Sequence, residues 1–189
     1  MSKKEDLRIL KTKASLFRSF LELLEEKSFD EIKISEICAL SSINRSTFYD
    51  RFQDKQELLQ AYVSSMREDF TESILISVKI DSMKGYFLEL LNNLLNYLHK
   101  NKKVYTYIFQ ITSNSTAIDM MREVLVQVTL EELEKRYGED VSKKYESYVL
   151  FQVSGSLQVI RDSFLRDSFS KKDCMKKILP LLDDWNFIH

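Results

Sequence analysis

The side chains best suited to recognising another molecule are concentrated between positions 44 and 49. If this stretch is a helix, four polar side chains share its exposed face: Asn44, Arg45, Thr47 and Tyr49. An arginine can donate two hydrogen bonds to a guanine edge, and amide and hydroxyl groups bind base edges and phosphate oxygens. The pattern therefore predicts a surface that binds double-stranded DNA, with Arg45 as the residue that contacts a base.

Two lysines flank this stretch. Lys33 stands at the start of the preceding helix and is expected to approach the phosphate backbone. Lys55 lies near the start of the following helix, whose N-terminus favours a phosphate group. Asn44 has a second candidate role as the N-cap of its own helix, because asparagine is a preferred residue at that position.

The residues around this surface have the pattern of two short helices. A first helix is predicted over about residues 35–40, a break at positions 41 and 42, and a second helix over about residues 45–52. Four apolar residues are placed to lock the two helices together: Ile37, Leu40, Ile43 and Phe48. This layout is typical of a helix-turn-helix, in which the second helix enters the major groove of DNA.

Residues 34–59 resemble the DNA-binding signature of the TetR family. The family's Thr-Phe-Tyr element occurs at positions 47–49, and its Phe-x-x-Lys-x-x-Leu element runs from Phe52 to Leu58. The run Asn-Arg-Ser-Thr-Phe-Tyr is also similar to regulators of dihydroxyacetone kinase operons. Ser42 replaces the turn glycine of the family pattern, and Ser46 stands at a second frequent glycine position, where a small residue keeps close backbone approach to DNA possible. Ser46 is therefore added to the expected DNA-binding residues.

The resemblance implies an all-α fold of about nine helices in two domains. Residues 1–60 would form a three-helix DNA-binding head, and residues 61–189 a helical body for ligand binding and dimerisation. The implied function is transcription regulation: a repressor that binds a palindromic operator as a homodimer and is released by a small-molecule effector. A co-activator that works through a protein partner is the alternative, and a helical enzyme or adaptor is a distant one.

The resemblance also implies a ligand pocket and a dimer interface in the body. The expected pocket residues are Tyr86, Phe87, Tyr97, Tyr105, Phe109, Met120, Met121 and Phe151. The expected interface residues, on a helix over about residues 141–166, are Tyr148, Gln152, Gly155, Val159 and Phe164, with Phe151 as a further candidate. Apolar side chains at helical spacing are equally compatible with an ordinary hydrophobic core, so that alternative stays open for both sets.

Hydrophobic periodicity predicts helices along the whole chain. Only 3 glycines and 1 proline interrupt it, which favours long helices with short turns. The first helix would bury a stripe that includes Leu10 and Ala14. Asp54 would cap a fourth helix, with Glu57 as its capping partner, and that helix would continue to about residue 78.

Composition excludes several other classes of protein. The chain has 2 histidines and 2 well-separated cysteines, and it lacks zinc spacing, a phosphate-binding glycine loop and a nucleophile motif. We therefore expect no enzyme activity, metal or cofactor. The cysteines read as buried thiols in a reducing cytoplasm, and no apolar run is long enough for a membrane span. The net charge is −1, but six basic residues crowd positions 3–18, so positive charge is concentrated near the expected DNA-binding head.

Overall fold

A computed structural model describes residues 3–75, 80–110, 116–166 and 169–182. Within these ranges the chain forms helices and turns and no strand, which confirms the all-α prediction. The helices are α1 (Lys3–Glu26), α2 (Ile34–Ser41), α3 (Arg45–Tyr49), α4 (Lys55–Ser65), α5 (Arg67–Ile74), α6 (Met83–Lys100), α7 (Lys102–Gln110), α8 (Thr116–Tyr137), α9 (Glu139–Phe164) and α10 (Lys171–Ile178).

The chain divides into two compact units, Met1–Ser65 and Met66–His189. We call the first the head and the second the body. The predicted fourth helix is not continuous, because α4 ends at Ser65 and α5 begins at Arg67. Ser64 and Ser65 donate side-chain hydrogen bonds to the carbonyl oxygens of Gln60 and Tyr62. Such side-chain bonds compete with the backbone hydrogen bonds that would continue the helix, and they occur where the head ends.

The core of the head is built from apolar residues of all four helices and the loops between them. Its fully or nearly fully buried members include Leu16, Phe20, Phe29, Ile32, Ile37, Phe48, Phe52, Leu58, Leu59 and Val63. The stripe predicted for α1 is rotated: Leu16, Phe20 and Leu23 are buried, whereas Leu10 is 61% exposed. Two overlapping apolar stripes run along α1, one through Leu10 and one through Leu16. Packing against α2 and α4 buries the stripe through Leu16.

In the body, α8 and α9 form the most extensive helix pair. A chain of aromatic rings, here called the aromatic series, runs through Phe70, Tyr97, Tyr105, Phe109, Phe164 and Phe169. Successive ring centroids lie 5.2, 5.8, 5.8, 5.6 and 4.9 Å apart. These distances are those of directly packed aromatic pairs, so the series links α5, α6, α7 and α9 in one core.

Side-chain caps define several helix ends. The Asp54 carboxylate accepts a hydrogen bond from the Glu57 backbone at 2.8 Å, which confirms the predicted cap of α4. Ser170 accepts from the Asp173 backbone at the start of α10. Before Pro180, α10 ends at Ile178, and a 3₁₀ turn follows over residues 179–182, as expected of a residue that cannot continue a helix. Ser115 is of a residue type that would cap α8, but it lies outside the described residues.

None of the helices, over the residues that the structure describes, is both long and apolar enough to cross a bilayer.

Candidate nucleic-acid interface

The turn between α2 and α3 depends on Ser42. This residue adopts the left-handed conformation, with φ 56° and ψ 33°, the region that the glycine of the family pattern adopts without strain. The Ser42 backbone N–H donates to Ala39, and the Ile43 N–H donates to the Cys38 carbonyl at 3.0 Å. The helix is closed by these bonds, and the chain is turned towards α3 within three residues.

The two helices are held together by a smaller apolar lock than the pattern predicts. Ile37 and Phe48 are completely buried, and Phe48 packs its ring 5.7 Å from that of Phe52. Ile43 is half-buried. The prediction for Leu40 is wrong, since this side chain is 45% exposed. In a helix as short as α2, the buried stripe is narrow and consists of Ile37, Cys38 and Ser41.

The outer face of α3 carries the predicted recognition residues. Asn44, Arg45, Ser46 and Tyr49 are exposed, and Thr47 is half-buried. Asn44 is the N-cap of α3 through its backbone carbonyl, which accepts from Phe48, but its side chain makes no capping bond. The polar side chains of residues 44–47 make no hydrogen bond to any residue that the structure describes. They are therefore available to an external partner.

The start of α2 is fixed by a charged pair that sequence reasoning missed. Glu36 accepts a hydrogen bond from the Lys33 backbone at 2.8 Å and pairs with the ammonium group of Lys27. The side-chain bond from Lys27 and the backbone bond from Lys33 together lower the pKa of Glu36. A glutamate three residues after a helix start was the available signal. The hydrogen bond from Lys33 to Glu36 fixes the Lys33 backbone, from which the exposed lysine side chain extends.

Two other predicted roles in the head have different outcomes. Lys55 is predicted to contact a DNA phosphate, but its ammonium group is hydrogen-bonded to backbone carbonyls of the α1–α2 loop, so its donors are already used within the head. Cys38 is a buried thiol, as expected, and burial raises its pKa while the nearby charge of Arg45 opposes that shift. A thiol with a raised pKa is a poor nucleophile.

In the body, seven of the predicted pocket residues are buried: Tyr86, Phe87, Tyr97, Tyr105, Phe109, Met120 and Met121. Burial is compatible with residues that line a ligand pocket and with residues of a packed core. Tyr97, Tyr105 and Phe109 pack ring against ring in the aromatic series, as core residues do. Burial also raises the pKa of Tyr86 to about 12. The prediction for Phe151 is wrong, because a side chain that is 71% exposed cannot line an internal cavity of this chain.

A surface cleft of about 420 Å³ lies elsewhere in the body, lined by Ile80, Asp81, Glu132, Lys135, Arg136 and Tyr137. The Arg136 guanidinium donates to the Glu132 carboxylate at 2.6 Å and to the Asp81 carbonyl at 3.0 Å. It also lies 5.6 Å from the Tyr86 ring centroid. None of the predicted pocket residues lines this cleft, which joins two segments that lie far apart in sequence.

The predicted interface residues divide into two groups. Tyr148, Gly155 and Val159 are half-buried on α9. Gln152 and Phe164 are buried inside the body, where Gln152 donates to the Tyr148 hydroxyl at 2.9 Å and Phe164 packs on Phe109. The structure therefore contradicts an interface role for Gln152 and Phe164. Both face the chain's own core.

The described residues hold no group of three or more histidine, cysteine or carboxylate side chains arranged to bind a metal ion.

Comparison with family models gives matches in both units. Residues 21–62 match the model described as bacterial regulatory proteins of the tetR family, and residues 85–183 match one described as a transcriptional regulator C-terminal region. The chain belongs to the TetR family of transcriptional regulators. Members of this family are DNA-binding regulators, not enzymes, and the exposed polar face of α3 lies within the segment that matches the family's head.

Individual relatives of this TetR regulator agree with the assignment. It is 28% identical to DhaS of Lactococcus lactis, named as a transcriptional activator of the dhaKLM operon, over 85% of this chain and 83% of that one. It is 36% identical over 76 residues to YxbF of Bacillus subtilis, an uncharacterised transcriptional regulator, but the match covers 40% of this chain and only 20% of YxbF.

Solved structures show the same fold. A TetR regulator from Rhodococcus sp. RHA1 superposes with a TM-score of 0.70, covering 96% of this chain and 98% of that one at 16% identity. A dihydroxyacetone kinase operon activator, DhaS, superposes with a TM-score of 0.64 over 90% of this chain and 93% of that one, at 24% identity.

Proposed function

We propose that this TetR regulator reads DNA through the outer face of α3. The residues assigned to the contact are Asn44, Arg45, Ser46, Thr47 and Tyr49, with Lys33 on the phosphate backbone. The observation that carries the proposal is the exposure of a polar row on a helix whose opposite side is anchored by the buried Phe48. Arg45 is the base contact, because a guanidinium fork matches the acceptors of guanine.

The regulator acts as a homodimer on a palindromic operator. A recognition helix of five residues spans few base pairs, and a two-fold pair of heads gains affinity and specificity by reading two half-sites. The support in the body is one face of α9 that carries Tyr148, Phe151, Gly155 and Val159 at helical spacing. An exposed phenylalanine beside half-buried neighbours is typical of a surface that a second chain covers.

The sign of regulation has two candidates. The family resemblance favours a repressor that a small-molecule effector releases, and the buried aromatic and methionine residues of the body support an effector site if they open around a ligand. An activator is favoured by a specific observation: the relative matched over 85% of this chain is named an activator. Action through a protein partner is the form of activation that we propose as the alternative. In either case the buried free thiols of Cys38 and Cys174 fit a protein of the reducing cytoplasm.

Selection of duplexes from a random-sequence pool tests the DNA-binding proposal. We expect a palindromic sequence to be enriched, with affinity that falls steeply as salt is raised and a stoichiometry of two chains per duplex. An enriched sequence without two-fold symmetry, bound by one chain, would contradict the dimer. A promoter fused to the selected sequence then gives the sign, since a repressor lowers transcription when it is added and an activator raises it.

A further inference from the structure

Lys55 has an unusually complete set of partners inside the head. Its Nζ lies 2.6 Å from the carbonyl oxygen of Phe29, 3.1 Å from that of Asp30 and 2.9 Å from that of Ile32. An ammonium group has three N–H donors and no more, so all three are used. The same nitrogen lies 4.6 Å from the Phe29 ring centroid, a distance at which a cation is attracted to an aromatic face.

The position of Lys55 explains why it needs these acceptors. It is the first residue of α4, where the helix dipole places partial positive charge and a cation is disfavoured. Carbonyl oxygens supply the compensating negative charge. A DNA phosphate would have to displace at least one of the three carbonyls. The bonds to Phe29 and Ile32 are half-buried and only the bond to Asp30 is exposed, so at least two of the three donors are directed away from solvent.

These bonds join two places that bracket the helix-turn-helix. Ile32 directly precedes Lys33, the N-cap of α2, and Lys55 begins α4. One side chain therefore ties together the two ends of residues 33–54, which contain α2 and α3. The loop that it grips is already closed on itself by backbone bonds from Glu31 to Ser28 and from Ile32 to Phe29, each at 3.1 Å, so the anchor point is well defined.

We infer that Lys55 is a positioning residue and not a phosphate ligand: it closes the helix-turn-helix segment and so sets the direction of Lys33 and α2. This inference rests on the proposed DNA-binding function. It differs from the role predicted from sequence, where a lysine at a helix start indicates a direct contact with DNA.

Replacing Lys55 by arginine separates the two roles. Arginine binds phosphate at least as well as lysine does, so a phosphate ligand would tolerate Lys55→Arg. The three carbonyls surround one nitrogen, which donates to all of them. A guanidinium spreads its donors over three nitrogens in one plane and cannot donate three hydrogen bonds from a single nitrogen. We therefore expect Lys55→Arg to lose about tenfold in affinity, as expected when hydrogen bonds to a charged group are lost. Lys143→Arg, the same change at an exposed lysine of the body, is the matched control and is expected to retain affinity.

The probe is the duplex that the unchanged protein retains from a random-sequence pool, and binding is measured at 10 °C over a range of salt concentrations. For a folded Lys55→Met variant we expect lower affinity with an unchanged salt dependence, whereas loss of a phosphate contact lowers the slope of log K against log salt by about 0.9. Circular dichroism establishes that each variant is folded. A Lys55→Arg chain that is unfolded at 10 °C also supports closure, because a solvent-facing phosphate ligand would contribute little stability.

Two results overturn the inference: full affinity in folded Lys55→Arg, or a reduced salt slope in folded Lys55→Met. Both leave the DNA-binding proposal intact. If the unchanged protein binds no duplex in a salt-dependent way, the proposed function fails instead.

Discussion

In the head, polar side chains of α3 face solvent while Phe48 and Phe52 are buried beneath them. In the body, the aromatic series lies inside, and an apolar side chain, Phe151, lies outside on α9. The residues proposed to recognise DNA in the head are thus ones that contribute little to stability. In the body, the residues expected to bind a ligand are the same ones that hold the helices together, so binding and folding cannot be varied separately there.

The largest effect is expected from Phe109→Ala in the body. This ring is 2% exposed and packs between Tyr105 and Phe164 in the aromatic series. Truncating a buried phenylalanine removes apolar contacts and leaves a cavity, which costs about 3–5 kcal/mol of unfolding free energy. Urea denaturation followed by circular dichroism measures the loss.

Phe151→Ala is the matched control, since it removes the same side chain from an exposed position. At protein concentrations low enough for the chain to be monomeric, the unfolding free energy of Phe151→Ala is expected to change by no more than about 0.5 kcal/mol. If Phe109→Ala costs as little as Phe151→Ala, the Phe109 ring faces an open pocket and not a packed core.

Arg45→Ala tests whether, in the head, DNA affinity can be lost without a loss of stability. We expect affinity for the selected duplex to fall by about 1–3 kcal/mol, or roughly 5- to 150-fold, while the melting temperature stays the same because the side chain is exposed. A gel-shift titration measures the first and thermal unfolding the second. Arg166→Ala removes an exposed arginine of the body and is expected to leave both unchanged. A loss of stability in Arg45→Ala would show that binding and folding are coupled in the head as well.

Most of the head could be predicted from sequence because its turns are short and depend on single residues. Ser42 stands at a glycine position and has a positive φ, and Asp54 caps α4 as its residue type indicates. Lys55 could not be read correctly, because its partners are backbone carbonyls, which every residue type provides. The sequence shows the charge and the helix start but not the loop folded against them.

The faces of the body helices could not be predicted for a related reason. Along α9 apolar residues occur on all sides, so periodicity fixes the helix but not which side meets α8. Packing buries Gln152 and Phe164 and leaves Phe151 exposed. The buried Gln152 donates from its amide nitrogen to the Tyr148 hydroxyl, a partial compensation for burial that a hydrophobicity pattern cannot register.

Each unit has one described residue with a positive φ, and the two are expected to respond in opposite directions. Gly138 has φ 91° and ψ 166°, a region that almost only glycine adopts, so Gly138→Ala is expected to destabilise the chain by about 1–3 kcal/mol. Ser42 already bears the strain of a left-handed side-chain residue, so Ser42→Gly is expected to stabilise by roughly 0.5–1 kcal/mol.

Calorimetry of both variants provides the comparison. An added Cβ at Gly138 meets nothing within 4 Å, so its cost is one of backbone conformation alone. If Ser42→Gly destabilises instead, the Ser42 side chain stabilises the turn by more than its backbone strain costs, and strain at the head's turn is not the dominant effect.

The smallest change in stability is expected from Gly155→Ala, and it tests whether the exposed face of α9 is an interface. Gly155 lies mid-helix, and an added Cβ would meet nothing within 4 Å. Alanine should therefore stabilise the single chain by about 0.5–1 kcal/mol through helix propensity. If a second copy packs closely at this glycine, the same methyl group separates the two backbones, so association measured by analytical ultracentrifugation weakens while the isolated chain becomes more stable. Ser154→Ala also raises helix propensity but adds no bulk, and it is expected to stabilise the chain without affecting association. Equal or stronger association in Gly155→Ala would mean that α9 does not pack closely through Gly155, and that Phe151 is exposed for another reason.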